Sequence, residues 1–589
     1  MERRGALSFH SLRTFLDFLE SRGDLRRVKV AVDPHLEITE IVTRVVKADG
    51  PALLFENVKG SAFPLAVNIL GARRRIEWAL GMPAAELGAS LVHLAQDMPN
   101  FSFKKLFRHR PLIKRFLKSG TKRRSSAPVQ EVIGEPNLDK LPFLFCWPKD
   151  GGRFGTLGLM LTESPKTRIR NVGIYRMHVY SSTTTGMHYQ IQKGGGFHYF
   201  ECEQMGIPQE VAVVCGADPA LILSAVAPLP EGMDEVRLAG FLRQGATRMV
   251  KAKSLNLEVP AEAELVIEGI CPPNERKEEG PFGDHFGHYS HPAPFPVFHA
   301  KRITRRRDAI FVASIVGKPL QEDRWMGDAV QEVLGPLIKL MHPEIEDMWS
   351  YYQAGFHNLL AVSVNNRFAK EGVKTALSLL GQGQLGLTKI GVVVSGGVEV
   401  RNFRAVLREI AAHFDPAEDF LLLPGVPLDT LDFTSFKMNL GSKMILDATR
   451  KAGAAPASEK PKLEWLRSVP GIEEFVLLEN CLLVVKTKVD GRRLVEDLVQ
   501  KLDVPVRLVA TVSVDVNLQD EENLLWGIFT RFDCARDIVF TSAKLIGASP
   551  VYRGVLGIDA TFKSGYPLPV EMDLNVVKKV DAHWNEYRI

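Results

Sequence analysis

The fourteen residues EEGPFGDHFGHYSH, Glu278 to His291, concentrate groups that can transfer protons. The glycines on either side of Pro281-Phe282 exclude a regular helix and disfavour a continued central strand. Glu279 and Asp284 are therefore predicted to lie on a structured loop. Two close carboxylates in a pocket of low dielectric cannot both ionise easily, so one is expected to stay protonated near neutral pH as a usable acid.

Two other interpretations of this loop remain open. Asp284 with His285, His288 and His291 could ligate a metal, although their spacing on a glycine-broken loop does not by itself bring three imidazoles together. A surface turn rich in glycine and histidine is the other interpretation, and the Pro-Phe pair argues for partial burial instead.

A second candidate stretch is NVGIYR, Asn171 to Arg176. Residues five apart in an unbroken strand point to opposite faces, so Asn171 and Arg176 share one site only if the strand is distorted near Gly173. An arginine in an apolar strand also needs an anionic partner, and Glu279 or Asp284 is of the right kind. A salt bridge at the rim of a barrel is the simpler alternative.

A third candidate is GMHYQIQKGGGFHY, Gly186 to Tyr199. Consecutive glycines after Lys193 expose backbone amides that can bind an anion such as phosphate. A flexible surface turn explains the same glycines. No GxGxxG motif follows a strand, which argues against a Rossmann dinucleotide site.

The composition of the chain is that of a folded protein with several domains. It has 589 residues, of which 45% are hydrophobic and 24% charged, and this length predicts about three or four domains. Its six cysteines have no CxxC spacing, which argues against a disulfide framework or a zinc ribbon and favours a reducing cytoplasm. The N-terminus lacks an apolar signal segment, and prolines divide the most hydrophobic stretch, near Val211, so neither export nor a membrane span is expected.

The net charge is only +5, but basic residues gather between Lys104 and Arg124, where no acidic residue occurs. Their interleaving with apolar residues predicts an interfacial helix that contacts an anionic lipid surface or nucleic acid. A solvated helix that packs on the body of the protein is the alternative, and Pro111 and Gly120 favour it by interrupting the stretch.

The hydrophobic patterns divide the chain into four predicted domains. Residues 8–27 predict an amphipathic helix that opens an α/β domain over 1–126. Strand patterns separated by Gly and Pro turns over 127–325 predict a mostly antiparallel barrel or sandwich with a helical insertion. Helix and strand patterns alternate again over 326–455 and 456–589.

Similar segments recur in the same order in the last third of the chain, which predicts a duplicated α/β unit over 355–451 and 478–565. The pairs are HNLLAVSVNN with ENCLLVVKTK, AAHFDPAEDFLLL with FTRFDCARDIVFT, and LGSKMILDATRK with LGIDATFKSG. KAGAAPASEKPK, Lys451 to Lys462, has the composition of a linker between the two. Unrelated units that share turn chemistry are the alternative.

Taken together, these stretches resemble the UbiD family of decarboxylases, which use prenylated flavin mononucleotide (prenylated FMN). NVGIYR, MHYQIQKGG, DEVRLAG, NLEVPAEAELVIEG, EGPFGDHFGHYS and LGSKMILDAT occur in the family's order, and the similarity spans nearly the whole chain up to the extra C-terminal copy. The resemblance implies an α+β multidomain fold with a central flavin-reductase-like split β-barrel between N-terminal and C-terminal α/β domains. It also implies a homo-oligomer, either a dimer or a hexamer.

The resemblance also assigns roles to individual residues. Asp284 is expected to donate the proton that replaces carbon dioxide, while Glu279 and Arg176 orient it and bind the substrate carboxylate. The residues expected to contact the flavin are Ile174, Tyr175, Arg176, His188, Tyr189, Gln190, Lys193 and Gly194. The residues expected to ligate a divalent metal, typically manganese, beside the cofactor phosphate are Asn171, Glu235 and Gln192. Many relatives have histidine at the position of Gln192, so a weaker ligand is expected here.

We therefore expect a carboxy-lyase that decarboxylates an aromatic acid without oxidation. A 4-hydroxybenzoate-type acid of quinone biosynthesis, with or without a prenyl tail, is the first expectation because GDH at Gly283 to His285 resembles the quinone-pathway members. The alternatives are a reversible decarboxylase or carboxylase of a soluble aromatic or heteroaromatic acid, and a flavin-binding subunit without lyase activity. The expected partners are a flavin prenyltransferase and, at the inner membrane face, peripheral lipid; no nucleic acid is expected.

Overall fold

The computed structural model describes residues 7–98, 102–451, 461–502 and 506–589. The chain divides into two compact units, one from Met1–Leu334 with Pro569–Ile589 and the other from Gly335–Leu568. Most of the predicted linker between Lys451 and Lys462 lies outside the described residues. The α+β multidomain class expected from the sequence is confirmed.

Ten helices occur among the described residues of the first unit before the chain enters the second unit. The tenth helix extends a few residues into the second unit. The helices are α1 (Leu12–Ser21), α2 (Glu37–Lys47), α3 (Arg73–Leu80), α4 (Ala84–Asp97), α5 (Phe103–Arg108), α6 (Arg110–Lys118), α7 (Gly194–Met205), α8 (Pro219–Val226), α9 (Glu235–Arg243) and α10 (Asp323–Ile338). The strands are β1 (Leu25–Val28), β2 (Ala52–Phe55), β3 (Leu65–Val67), β4 (Thr121–Arg124), β5 (Val132–Gly134), β6 (Phe154–Gly155), β7 (Leu159–Glu163), β8 (Arg170–Ile174), β9 (Met177–Val179), β10 (Thr184–Met187), β11 (Gln209–Cys215), β12 (Thr247–Lys251), β13 (Glu258–Pro260), β14 (Leu265–Cys271), β15 (Arg276–Glu279), β16 (Ala293–Arg305) and β17 (Phe311–Val312).

The N-terminal part of this unit is an α/β layer with a four-stranded sheet in the order β1-β2-β3-β17. Its first helix is shorter than the predicted span 8–27. Ser11 caps α1 by accepting a hydrogen bond from the Thr14 amide, and Gly23 has a positive φ of 72° that ends the helix. The remaining residues of the predicted helix therefore enter β1.

A ten-stranded sheet forms the centre of the unit, in the order β6-β9-β10-β16-β14-β11-β7-β8, with β5 and β15 also paired to β16. Its strand pairs are antiparallel, as the sequence predicted for this region. The same unit also contains a three-stranded sheet in the order β13-β12-β4. The predicted helical insertion includes α8, which Asp218 caps through the Leu221 amide at 3.2 Å with Pro219 in the first turn.

The second unit contains two five-stranded sheets. Its helices are α11 (Glu371–Leu379), α12 (Phe403–His413), α13 (Pro416–Asp419), α14 (Gly491–Lys501) and α15 (Glu521–Phe529). Its strands are β18 (Ile345–Ser350), β19 (Leu360–Val364), β20 (Ile390–Ser395), β21 (Phe420–Pro427), β22 (Leu440–Ala448), β23 (Ile472–Leu478), β24 (Leu482–Thr487), β25 (Leu508–Val512), β26 (Ile538–Ile546) and β27 (Ser549–Ala560).

The two sheets of the second unit have the same topology. The first runs β18-β19-β20-β22-β21 and the second β23-β24-β25-β27-β26, with antiparallel, parallel, parallel and antiparallel pairs in that order in both. One hydrophobic cluster contains residues of both sheets, among them Leu446 and Ile558. The two sheets therefore share a core.

After the second sheet the chain returns to the first unit and ends in α16 (Leu574–Tyr587). No helix among the described residues is long and apolar enough to cross a membrane. All six cysteines are buried and none forms a disulfide.

Candidate active site

Arg176 lies in a break between two strands. β8 ends at Ile174 and pairs with β7, whereas β9 begins at Met177 and pairs with β6 and β10. Tyr175 and Arg176 lie in the break, so the strand distortion predicted near Gly173 occurs two residues further on. A continuous strand would not have allowed Asn171 and Arg176 to serve one site.

The Arg176 guanidinium lies between the two carboxylates of the predicted loop. Its Nε and Nη2 donate to Glu279 at 2.7 and 2.8 Å, and its Nη1 donates to Asp284. Nη2 also donates to the Ser290 hydroxyl at 2.9 Å. The side chains of Arg176 and Glu279 are 6% and 0% exposed, so this is a buried, charge-assisted network.

Arg176 keeps both carboxyl groups ionised, whereas the sequence predicted that one of them stays protonated. Burial acts to raise the pKa of Glu279, but the charges of Arg176 and His188 outweigh it and lower the pKa below its ordinary range. Burial also acts to raise the pKa of Asp284, and the hydrogen bond from His285 together with Arg176 lowers it instead. Both groups are therefore carboxylates in the free protein, because a cation separates them.

The loop between β15 and β16 carries Asp284 and is fixed by a buried aspartate. Asp150 accepts the Gly283 amide at 2.8 Å through one oxygen and the Trp147 amide at 2.9 Å through the other. Burial raises the pKa of Asp150 to about 7 despite these bonds. Gly283 lies so close to Trp147 that an added Cβ would be 2.3 Å from the indole ring. Sequence reasoning did not find Asp150, whose only signal is its place before two glycines in KDGG.

The histidines near the loop contact carboxylates or backbone. His188 lies 3.1 Å from Glu279 through Nδ1, and His285 lies 2.8 Å from Asp284 through Nδ1. His288 lies 3.2 Å from the Phe286 carbonyl. No three His, Cys, Asp or Glu side chains form a metal-binding group in the described part of the chain, so the histidine metal site considered above has no support.

The predicted glycine run is the first turn of a helix. Lys193 precedes α7, and Gly194 is its first residue. The Gly195 amide donates to the Tyr175 hydroxyl at 3.0 Å, and Tyr175 is buried, which raises its pKa to about 12. The Tyr189 ring lies 5.1 Å from the Tyr175 ring. Backbone amides at a helix N-terminus favour an anion such as phosphate.

The three predicted metal ligands lie near this helix end. An added Cβ on Gly194 would be 2.1 Å from Asn171 Oδ1, and the Glu235 carboxylate accepts the amide of Val172 at 2.9 Å. Gln192 lies two residues before α7 in the left-handed region, with φ 58°. The Asn171 Nδ2 is buried without a hydrogen bond, and burial raises the pKa of Glu235 to about 7. Amide and carboxylate oxygens of this kind suit a hard divalent cation, so the residues fit a metal of that class.

The other residues predicted to contact the flavin lie at the end of β8 and between β10 and α7. Ile174 ends β8, while His188, Tyr189 and Gln190 connect β10 to the turn before α7. The structure thus brings Arg176, His188, Glu279 and Asp284 into direct contact, and it brings Asn171, Tyr175 and Gly194 together at the start of α7.

Family models match the chain in order along most of its length. The N-terminal domain of 3-octaprenyl-4-hydroxybenzoate carboxy-lyase matches residues 16–95, its Rift-related domain 121–319 and its C-terminal domain 324–448. These are the three domains of the UbiD family, and the chain belongs to this family. It is a carboxy-lyase, as the motifs led us to expect, and its second five-stranded sheet lies beyond the matched C-terminal domain.

Individual relatives agree with this assignment. The chain is 37% identical over 582 residues to a 4-hydroxybenzoate decarboxylase subunit of Chlamydia pneumoniae, covering 98% of both chains. It is similar to vanillic acid decarboxylase of Sedimentibacter hydroxybenzoicus in closed form, with TM-score 0.68 and 25% identity over 78% of this chain and 98% of that one. It is also similar to the UbiD-class enzyme HmfF of Pelotomaculum thermopropionicum in complex with FMN, with TM-score 0.63 and 26% identity over 78% and 99% of the chains.

Proposed function

We propose that this carboxy-lyase releases carbon dioxide from an aromatic acid with the help of prenylated FMN. The observation that carries the proposal is the buried network in which Arg176 joins Glu279 to Asp284. A buried arginine fork binds a carboxylate well, and an adjacent carboxyl group can exchange a proton with the reacting carbon. Further support comes from HmfF, a UbiD-class enzyme that has been solved with FMN and with prenylated FMN.

The proposed cofactor would occupy the surface between the strand break and α7. The residues proposed to hold it are Ile174, Tyr175, Arg176, His188, Tyr189, Gln190, Lys193 and Gly194. When bound, the modified flavin supplies the electron sink that an aryl carbanion lacks. The start of α7 would hold its phosphate, because helix N-terminal amides and Lys193 both favour an anion.

A divalent cation, for which we propose manganese, would be held by Asn171, Glu235 and Gln192 and would offset the negative charge of the phosphate. Glu235 supports this proposal because a buried carboxylate with a raised pKa gains from a nearby cation. Gln192 offers only an amide oxygen where imidazole would bind more strongly, so the affinity is expected to be modest.

The proposed proton transfer begins with competition for Arg176. The hydrogen bond from His285 and the charge of Arg176 both lower the pKa of Asp284, and a substrate carboxylate that takes Asp284's place on the guanidinium weakens the second of these influences. Asp284 then takes up a proton, and His285, which contacts it and is 23% exposed, lies on the side that reaches solvent. When the bond between the ring carbon and the carboxyl group breaks, carbon dioxide leaves and Asp284 delivers the proton to that carbon. Glu279 holds Arg176 in place.

A 4-hydroxybenzoate-type acid of quinone biosynthesis, with or without a prenyl tail, is our proposed substrate. The name of the Chlamydia pneumoniae relative and the description of the matched family support it. A soluble aromatic or heteroaromatic acid, decarboxylated reversibly, is the competing proposal, favoured by the likeness to vanillic acid decarboxylase.

Peripheral membrane contact through α5 and α6 is part of this proposal. Phe107, Phe116 and Leu117 are 72%, 71% and 82% exposed among basic residues, a pattern that suits an anionic lipid surface. Sedimentation with vesicles that contain phosphatidylglycerol tests it, with neutral vesicles as control. Equal binding to both, or to neither, contradicts the contact.

We further propose a cytoplasmic homo-oligomer, either a dimer or a hexamer, built from the four domains 1–126, 127–325, 326–455 and 456–589. An evolved dimeric form of HmfF shows that this fold can self-associate, which supports the oligomer. The ends of the three family matches support the first domain boundaries. A flavin-reductase-like split barrel is the proposed description of the ten-stranded sheet. The identical strand order of the two five-stranded sheets supports a duplicated α/β unit.

The test is to produce the protein together with a flavin prenyltransferase and to measure bound cofactor by mass and absorbance. Release of carbon dioxide is then measured for 4-hydroxybenzoate, its prenylated form and vanillate. Asp284→Asn should abolish release while retaining the cofactor, and Glu278→Gln, a change at an exposed neighbouring carboxylate, should leave it intact.

Two outcomes contradict the proposal. Bound prenylated FMN without release from any of the acids would indicate the flavin-binding subunit without lyase activity, an outcome consistent with a relative that is named as one subunit of a decarboxylase. Equal release by wild type and Asp284→Asn would remove Asp284 from the proton transfer.

A further inference from the structure

The C-terminal segment of the chain contacts the loop that carries Asp284. After the second unit, the backbone at Pro569 forms an antiparallel bridge with His288. The Val570 amide donates to the Gly287 carbonyl at 2.9 Å. Both contacts lie within the first unit, to which Pro569–Ile589 belongs.

The accepting residue is itself part of the turn that shapes the loop. The Gly287 amide donates to the Asp284 carbonyl at 2.8 Å, and the Asp284 amide donates to the His288 carbonyl at 3.2 Å. Val570 therefore lies two hydrogen bonds from the backbone of Asp284. The Val570 hydrogen bond thus ends on the same turn that carries the Asp284 carboxylate.

Helix α16 holds this segment in place through a buried glutamate. Glu37, at the start of α2 and 4% exposed, accepts from Lys579 at 2.8 Å and from the Tyr587 hydroxyl at 2.9 Å. Arg44 on the same helix donates to Asp581 at 2.6 Å. These contacts extend from Lys579 to Tyr587, so α2 anchors the helix from its middle to its C-terminal end.

The C-terminal segment and the loop that carries Asp284 also belong to one hydrophobic cluster. Val570 and Tyr587 from the C-terminal segment belong to the same cluster as Phe282 and Tyr289 from the loop. Phe282 lies against the Arg176 guanidinium, 5.0 Å from its carbon to the ring centre. The C-terminal segment therefore supports both the backbone and the aromatic side chains next to the network.

We propose that the C-terminal segment Pro569–Tyr587 is a positioning element for the catalytic loop, with Val570 as the residue that couples it to Asp284. This inference rests on the proposed role of Asp284 as proton donor. In the sequence, the second unit separates this segment from the rest of the first unit. The reaction would therefore require the chain to return to the first unit after it has passed through the second unit.

Val570→Pro tests the coupling because proline has no amide hydrogen to donate. In the holoenzyme we expect kcat to fall at least about tenfold with KM and bound flavin unchanged, since a loosened loop misplaces the proton donor. We also expect amide exchange of Asp284 and Gly287 to quicken at least about tenfold. Val570→Ala retains the amide and should restore both values to within about twofold of wild type.

A second pair of variants keeps the test valid if Val570→Pro does not fold. Lys579→Met with Tyr587→Phe removes both donors that α16 offers to Glu37, and Lys578→Met is the matched control at an exposed position of the same helix. The double variant should quicken exchange of the loop amides and lower kcat, and the control should do neither.

Exchange of the loop amides is measured without turnover, so it separates this inference from the proposed function. An inactive wild-type holoenzyme in which Val570→Pro still quickens exchange contradicts the decarboxylase and supports the coupling. Wild-type exchange and kcat in both Val570→Pro and the double variant overturn the coupling, as does equal loss in Val570→Pro and Val570→Ala.

Discussion

Arg176 determines the chemical state of the residues around it. It is buried between two carboxylates and lowers the pKa of both. The free protein therefore holds Asp284 as a base, and in the proposed reaction Asp284 becomes an acid once the substrate carboxylate occupies the guanidinium. In that proposal, the arrival of the substrate determines when the proton becomes available.

The shape of Arg176 is expected to matter as much as its charge. Arg176→Lys keeps the charge but loses the fork that reaches Glu279 and Asp284 together. Hydrogen bonds to charged groups contribute about 1.5–3 kcal/mol each, so kcat/KM should fall at least about 100-fold. Steady-state kinetics with measured flavin content checks this, and Arg153→Lys at a surface pair is the control. Full activity in Arg176→Lys would show that charge alone suffices.

Glu279 is expected to make stability depend on acid. Its folded pKa lies below the ordinary 4.5, so the carboxylate stabilises the fold fully above pH 4.5, and this contribution is lost as the pH falls further. Glu279→Gln should lower the free energy of unfolding by about 3 kcal/mol at pH 7, and the difference should shrink towards pH 3. Thermal unfolding at both pH values measures it, with Glu278→Gln as control; a difference that grows in acid would contradict the assignment.

The sequence identified the residue types of the site better than their states. EGPFGDH and NVGIYR predicted that Arg176 needs Glu279 or Asp284 as a partner, and the structure confirms both contacts. The predicted protonated carboxyl was wrong, because pairwise reasoning about two carboxylates omitted the cation between them. Asp150 and Ser290 were missed since their contacts depend on how the loop closes, which spacing does not determine.

At the scale of elements, the break between β8 and β9 and the start of α7 together form the site. The break points Arg176 towards the loop, and α7 begins where Asn171 and Tyr175 reach it. The strand patterns of this region predicted the antiparallel sheet correctly. They could not locate the break, because Tyr175 and Arg176 have side chains that fit a strand.

The first turn of α7 offers a matched pair of substitutions. Gly194→Ala places a Cβ 2.1 Å from Asn171 Oδ1, whereas in Gly196→Ala the nearest atom lies at 3.5 Å. We expect Gly194→Ala to displace Asn171 and to lower the retained flavin and metal at least about tenfold, as mutation of groups around a metal site typically does. Flavin absorbance and metal content of the purified protein measure this. Equal retention in both variants would show that the close approach is not required.

At the scale of the whole molecule, the second unit is built from two sheets that depend on each other. The fully buried Lys389 beside the first sheet donates to Asp432 at 2.8 Å and to the Phe532 carbonyl after α15 at 3.0 Å. The repeated segments predicted two similar sheets, and the observed strand orders agree with that pattern. The shared core was not predictable, because repeats in a sequence do not show which faces pack together.

Division of the chain between the sheets tests this dependence. Residues 1–451 produced with a separate peptide 569–589, which restores the C-terminal segment of the first unit, should be insoluble. The core shared with the second sheet becomes exposed and a buried lysine loses a partner. Co-production with residues 461–589 as a separate chain should restore soluble protein and should yield both pieces together on affinity purification. Soluble 1–451 in the presence of that peptide would show that the first sheet does not need the second.

The burial of all six cysteines makes the molecule convenient for spectroscopy. Buried thiols react slowly with maleimides, and burial raises the pKa of Cys215 to about 12. A single cysteine placed at the exposed Lys578 would therefore take up a fluorescent label almost selectively in the native protein. Its emission would follow the movement of the C-terminal helix in real time, without removal of any native cysteine.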